Sequence, residues 1–211
     1  MTIWRTVSID KERLIEKLEE KLEKKLEKKL EEKKLDEEKR EQLEMAGERC
    51  MLDRTTVVCF HLPEEENGFL SNWYPSPFQK NGLLFVNMEQ YMMYEKAVCF
   101  GDTQIAEQIL KSETPAEIKE LGRKVRGYED HIWNGLRQVV VYDGLLDKFT
   151  QNKDLGEKLG QTGNALLAEC SVSDRIWGIG ISMHDAKRYD LRMWRGTNLL
   201  GYALMRVREK L

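Results

Sequence analysis

Glu89 and Lys96 stand seven positions apart in the segment Asn87 to Phe100 (NMEQYMMYEKAVCF). On a helix that spacing leaves the two about 20° apart around the axis. Met92, Met93 and Phe100 fall within roughly 60° of them by the same geometry. An acid and an amine therefore stand in the middle of an apolar stripe, where a charge is costly unless it is paired or lines a pocket. Two readings follow. Glu89 and Lys96 form a buried structural ion pair, or they are an acid/base pair whose proton affinities have been moved for function, as happens in clefts.

The elements that must position such a pair lie in only part of the chain. Of the 211 residues, those from Asp10 to about Arg49 are nearly all Glu, Lys, Leu, Asp and Arg. From Thr55 onward the composition is that of an ordinary globular domain of a size that can bury a core. The expected organisation is a charged helical extension over residues 1–52 and one domain over 53–211. A net charge of −3, with no basic arm or patch concentrated in the globular part, does not imply broad electrostatic capture of nucleic acid. Cys50, Cys59, Cys99 and Cys170 are widely spaced and form no CxxC motif, and His61, His131 and His184 do not cluster with them. No metal site and no cofactor are expected. Free thiols suit a reducing compartment. With no long apolar run and no apolar N-terminal region, the chain reads as a cytoplasmic protein that does not enter a membrane.

In the charged segment Leu14, Leu18, Leu22, Leu26 and Leu30 recur every four residues. Each step of four advances about 40° around a helix, so the leucines wind instead of forming a coiled-coil seam. Pairs such as Glu20 with Lys24 are spaced for intrahelical attraction. A long helix is expected, either a solvated appendage packing loosely on the domain or on a second copy, or a coiled coil that binds a protein partner.

Thr55 to Leu62 (TTVVCFHL) reads as a strand, and Asn81-Gly82 as a hairpin turn ahead of Leu83 to Val86. Helices are expected over Thr103 to Ser112, from Thr114-Pro115 to Arg123 with Thr114 and Glu117 forming a capping box, over Asp130 to Phe149, and over Leu155 to Thr162. On the long helix Trp133, Leu136, Val140, Leu145 and Phe149 tend to the core. Ala165 to Cys170 is apolar with Glu169 inside it. A final amphipathic helix uses Leu204, Met205 and Val207. The fold class is α+β, mostly helical, with a few short strands.

Six motifs then occur in one order: Gly68-Phe-Leu-Ser-Asn72-Trp73, Glu89-Gln-Tyr-(x)4-Lys96-Ala, Gly122-Arg123, Trp133 with Lys148-Phe149, Asp174-x-x-Trp177-Gly178-x-Gly180, and Asn198-x-x-Gly201. In these the chain from about Val57 to Leu211 resembles the NADAR superfamily, also called YbiA-like. Trp73 departs from the pattern where Phe is common, and Asn87-Met88 where small or hydroxylated residues often precede the Glu. The charged helix lies outside the resemblance. What the resemblance implies is a compact, mostly helical N-glycosidase that hydrolyses the bond between a ribose C1 and an amine nitrogen. Two substrate classes are implied: phosphoribosylamino-pyrimidine intermediates of riboflavin synthesis, and ADP-ribose on the exocyclic amine of guanine. The partner expected is thus a small-molecule or nucleic-acid-linked substrate. The alternative is a module that binds ADP-ribose or a nucleotide without turnover.

Cleaving a glycosylamine requires protonation of the leaving group and stabilisation of positive charge at C1. With the resemblance, the catalytic candidates are Glu89 as general acid or base, Lys96 as charge stabiliser or as an amine that forms a Schiff base with a ring-opened sugar, and Asp174 as a second carboxylate for water or ribose hydroxyls. The binding candidates are Asn72 and Trp73, Arg123 as a phosphate clamp, Trp133 and Trp177 as stacking surfaces for a flat base, Gly178 as a close backbone approach, and Asn198. Each has a plainer reading. Asp174 can cap a turn, the tryptophans can fill the core, Arg123 can be solvated and Asn198 can cap the last helix.

Overall fold

In a computed structural model of the chain, Lys34 and residues 56–211 are described. Apart from Lys34, the charged segment and the long helix expected there lie outside the described residues. The order of elements from residue 56 is β1 (Val57–Phe60), a 3-10 turn (Gly68–Leu70), β2 (Phe78–Lys80), β3 (Leu83–Phe85), α1 (Met88–Cys99), α2 (Thr103–Lys111), α3 (Pro115–Arg123), α4 (Asp130–Gln151), α5 (Lys153–Gln161), β4 (Leu166–Glu169), two 3-10 turns (Ala186–Tyr189 and Leu191–Met193) and α6 (Leu199–Arg208). The architecture is α+β and helix-dominated, as the sequence indicates.

The strands form two small sheets. β2 and β3 are an antiparallel hairpin with Phe78 opposite Phe85. Asn81 and Gly82 both take positive φ (51° and 79°), which matches the twist of a two-residue hairpin turn. β1 instead pairs in parallel with β4, Cys59 opposite Ala168 and Phe60 opposite Glu169. A parallel pair needs a long crossover, and here everything from 61 to 165 serves as one. The apolar run before Cys170 thus proves to be the partner of the first strand.

α1 is the central helix and packs on α2, α3 and α4. Asn87 starts it: its side chain accepts from the Gln90 N–H at 2.9 Å. Buried Gln90 is fully used. Its Oε1 accepts from Val86 N–H at 2.9 Å, and its Nε2 donates to the Ile109 and Ser112 carbonyls at 3.0 and 2.9 Å, tying α1 to the end of α2. α3 begins at Thr114 with Pro115 in the first turn, as expected. The capping box does not close, however, because Thr114 Oγ1 contacts the Glu117 carboxylate instead of a backbone N–H.

On α4, Trp133, Leu145 and Phe149 are buried, as their spacing requires, but Leu136 is 44% exposed. No other described element covers that side of the helix. Lys148 goes the other way. It is fully buried with no acid partner among the described residues, and burial pushes its amine down to about 7. Its Nζ donates to the Phe69 and Ser71 carbonyls at 2.8 and 3.1 Å, so a lysine of the longest described helix hooks the loop that carries Asn72 and Trp73.

Two glycines of α4 have opposite surroundings. A Cβ on Gly144 would lie 2.4 Å from the Tyr91 ring and 2.9 Å from Met88 Cε, whereas one on Gly135 would meet nothing within 4 Å. Gly→Ala in a helix interior gains roughly 0.5–1 kcal/mol, and overpacking costs about 1–3 kcal/mol. Gly135→Ala is therefore expected to stabilise the domain by about 0.5–1 kcal/mol. Gly144→Ala is expected to destabilise it by about 1–2 kcal/mol, since the clash outweighs the helix gain. Urea midpoints of the two variants check the opposite signs.

Candidate active site

A cavity of ≈ 490 Å³ opens between α1, α3, the start of α4, the loop after the first 3-10 turn and the segment that follows β4. Eight of the ten residues singled out from the sequence line it: Glu89, Lys96, Asp174, Asn72, Trp73, Arg123, Trp133 and Trp177.

Glu89 is only 3% exposed. It sits in the first turn of α1, and its N–H donates to the Asn72 carbonyl at 3.0 Å. Burial pushes its carboxyl up to about 7, against the pull of Lys119 and a hydrogen bond from the Trp73 indole; Asp174 adds to the rise. Near neutral pH this group is poised to give or take a proton.

Lys96 lies on the same wall but is not the ion-pair partner of Glu89. Its Nζ donates to the Gly122 carbonyl at 2.8 Å and stands 4.2 Å from the centre of the Tyr128 ring. Burial lowers its pKa, and the opposing pulls are Asp130 first and Glu89 second. The two charges share a helix face, as the spacing indicates, yet the chain gives each a different neighbour.

Asp174 serves the turn and the cavity together. Its Oδ1 accepts from the Ile176 and Trp177 N–H groups at 3.0 and 2.9 Å. That holds the Trp177 backbone and leaves the second oxygen for the cavity. Trp133 is 5% exposed and part of the core while its edge lines the site. Asn72 is buried, and its Oδ1 has no hydrogen-bond partner. Arg123 stands at the rim, 68% exposed and 3.3 Å from Glu120, a surface pair that holds it only weakly.

Gly178 and Asn198 are the two that do not line the cavity. A Cβ on Gly178 would meet the carbonyls of Glu169 and Asp174 at 2.8 and 2.9 Å, so the close approach is to the chain itself. The Gly178 N–H is spent on Asp174 O. Asn198 is fully buried. Its Oδ1 accepts from Glu169 N–H at 3.1 Å, and its Nδ2 donates to Leu167 O at 2.8 Å. It clamps the start of α6 to β4 and takes positive φ (51°) to do so. These two residues shape the wall without touching the space within it.

The sequence reading missed His61, Lys119, Tyr128, Arg137 and Glu169, all of which line the cavity. Burial pushes the His61 imidazole down, which keeps it neutral near pH 7. Lys119 is the strongest cationic influence on Glu89. Arg137 carries a buried Nε without a partner. Glu169, at the end of β4, has its carboxyl pushed up to about 8 by burial, then by Asp174 and Glu89, and its Oε2 makes no hydrogen bond. The signals were present. Lys119 precedes Arg123 by one helical turn, Arg137 follows Trp133 by one, and Glu169 is a single acid in an apolar run, as Glu89 is in its stripe.

The site thus combines desolvated carboxyls near their neutral point, an amine on an apolar wall, cations for anionic groups and aromatic faces, which suits proton transfer at a C–N bond next to a flat base. Among the described residues no group of His, Cys, Asp and Glu is placed to hold a metal ion, and no helix is long and apolar enough to cross a membrane. The NADAR domain model matches residues 59–211. Protein irg-1 of Caenorhabditis elegans is 42% identical over 175 residues, 75% of this chain and 82% of that protein. An N-glycosidase of Acanthamoeba polyphaga mimivirus is 41% identical over 145 residues, 66% of this chain and 85% of that one. The NMR structure of the E. coli protein YbiA superposes with a TM-score of 0.61 at 27% identity, covering 74% of this chain and 84% of that chain. The chain belongs to the NADAR domain family, and with it to the hydrolases that act on N-glycosyl bonds.

Proposed function

We propose that the chain hydrolyses the C1–N bond of an N-ribosylated base that carries phosphate. Its substrate is ADP-ribosyl-guanine or a phosphoribosylamino-pyrimidine. The observation that carries this reading is Glu89, a carboxyl held near pH 7 in the wall of a cavity that also presents an amine, cations and three tryptophans. A module that only held ADP-ribose would gain nothing from a desolvated acid, which costs stability. In this reading Trp133 and Trp177 flank the base, Arg123, Lys119 and Arg137 face the phosphates, and Asn72 and Asp174 meet ribose hydroxyls. Glu89 moves the proton of the attacking group. Lys96, its pKa lowered by burial, attacks C1 of the ring-opened sugar and holds it as an imine until water releases it. Residues 53–211 carry the activity, and 1–52 are an appendage that self-associates or meets a protein partner. The free thiols of Cys59, Cys99 and Cys170 support the cytoplasm as its compartment.

Incubating the chain with both substrates is expected to release ADP-ribose from the one or ribose 5-phosphate from the other. Intact substrate in both arms refutes the reading. Borohydride added during turnover is expected to fix a sugar-sized adduct on Lys96, read by peptide mass. If no adduct forms and Lys96→Arg stays active, Lys96 is a charge stabiliser only and water attacks directly.

Glu89→Gln is expected to lower kcat by at least about 10²-fold while the fold persists. It also has a signature in stability. The folded Glu89 carboxyl titrates near about 7 against a normal value of 4.5, so the folded state binds the extra proton. The associated stability is fully present below 4.5 and lost as pH rises through about 7. Lys148, lowered from 10.5 to about 7, gives the opposite slope above that range. The readout is therefore the difference between wild type and Glu89→Gln: the variant is expected to lose less stability between pH 5 and 7 in urea titrations. Equal slopes would return Glu89 to an ordinary carboxylate.

A further inference from the structure

We propose that Glu169 is a second catalytic carboxyl, the proton donor to the leaving nitrogen, and that it works as a pair with Glu89. The inference rests on the N-glycosidase reading and adds a residue and a proton path to it. Its basis is geometric. Glu169 ends β4 and lines the same cavity as Glu89. Its backbone is fixed from two sides: its N–H donates to the Asn198 side chain at 3.1 Å, and its carbonyl accepts from Ile179 N–H at 2.8 Å. The carboxyl is left unanchored: the residue is half-buried, and its Oε2 is out of solvent contact and without a partner. A strand held this firmly, with an unsatisfied acid at its tip, is a poor device for stability. An apolar side chain would suit the apolar β4 better, because a buried polar group without a partner costs free energy.

The groups that face the carboxyl are Asp174 from the turn after β4, Glu89 from α1 and Lys119 from α3. The two acids and burial favour the protonated form, and only Lys119 opposes them. Glu89 accepts a hydrogen bond from the Trp73 indole, which favours its charged form, whereas Glu169 Oε2 has no donor, so the surroundings make Glu169 the acid and Glu89 the base. This is the division of labour that unequal environments impose on paired carboxyls.

The proton balance closes. As the C1–N bond breaks, its electron pair goes to the nitrogen, and the Glu169 proton goes with it, giving the free amine. The nucleophile, the Lys96 amine or water, bonds to C1 and loses its proton to Glu89. That proton then passes from Glu89 to Glu169 and restores the pair. When Lys96 is the nucleophile, the ring oxygen takes the glycosylamine N–H proton as the ring opens. The Lys96 amine adds to the C1=N bond and passes both its protons, by way of the two carboxyls, to the leaving nitrogen as the Lys96 imine forms. Water then adds to that imine and returns both protons to Lys96, and the freed aldehyde recloses on the ring hydroxyl. The net change is one water consumed.

The test compares Glu169→Gln with wild type in the full chain. The proposal expects kcat to fall at least about 10²-fold, the fall in wild-type kcat above neutral pH to disappear, and the melting temperature to rise. A merely structural Glu169 would instead lower the melting temperature and leave the shape of the pH profile unchanged, and that result overturns the proposal. Should Glu169→Gln not fold, Glu169→Asp keeps the proton, and it is expected to keep the fall above neutral pH at reduced kcat. Carboxyl 13C NMR of the wild-type chain gives a readout independent of turnover. Glu169 is expected to titrate above Glu89, and Glu89 is expected to titrate lower in the Glu169→Gln variant. A Glu169 titrating near its normal 4.5 overturns the proposal even if neither substrate is cleaved. Absent turnover with a raised Glu169 counts against the substrate reading alone.

Discussion

The parallel pairing of β1 with β4 is the contact on which the site depends. It sets Phe60 opposite Glu169 and closes a crossover that contains α1 to α5. Only then does the carboxyl at the end of β4 come to the cavity that α1 also lines. The pairing is short, and the chain reinforces it from outside the sheet. Cys170 N–H continues the ladder to Phe60 O at 2.8 Å, Ile179 N–H reaches Glu169 O at 2.8 Å, and the Asn198 side chain bridges Leu167 and Glu169. Each hydrogen bond adds only about 1 kcal/mol net. Their joint effect is to leave the tip of β4 no freedom except in the Glu169 side chain.

The same structure carries an unusual load of desolvated charge. Glu89 and Lys148 are out of water and Glu169 is half-buried, and burial is the first cause of each shift in proton affinity. The three are not equivalent. Lys148 is spent on two carbonyls and holds a loop, whereas Glu89 and Glu169 face open space. A helix-centred core built from Phe60, Phe85, Met88, Leu145, Phe149, Leu167 and Leu204 supplies the stability that offsets them, since each fully buried large apolar side chain contributes roughly 1.5–3 kcal/mol. On the roles proposed for them, activity and stability pull in opposite directions at these carboxyls.

Much of this was legible in the residues alone. Asn81-Gly82 made the hairpin, Asn87 and Pro115 marked helix starts, and the fold class followed from these local signals. The acid and amine of α1 stood out because they interrupt an apolar period. Local patterning failed where a partner from far along the chain decides. Leu136 has the spacing of a core residue, but no described element covers it. Lys148 looks like a surface lysine until the loop before Asn72 arrives to receive it. Asn198 and Gly178 stand within motifs of the site yet face the chain.

The sequence by itself determined the elements and the anomaly of two charges on an apolar helix face, because helix and strand periods are properties of neighbouring residues. Only the tertiary structure decided what those charges meet. Glu89 and Lys96 share a face, but Lys96 went to Gly122 and Tyr128, while Glu89 came to stand near Glu169, Asp174 and Lys119. Proton affinity depends on desolvation and on charges brought together through space, and no spacing along the chain contains that information.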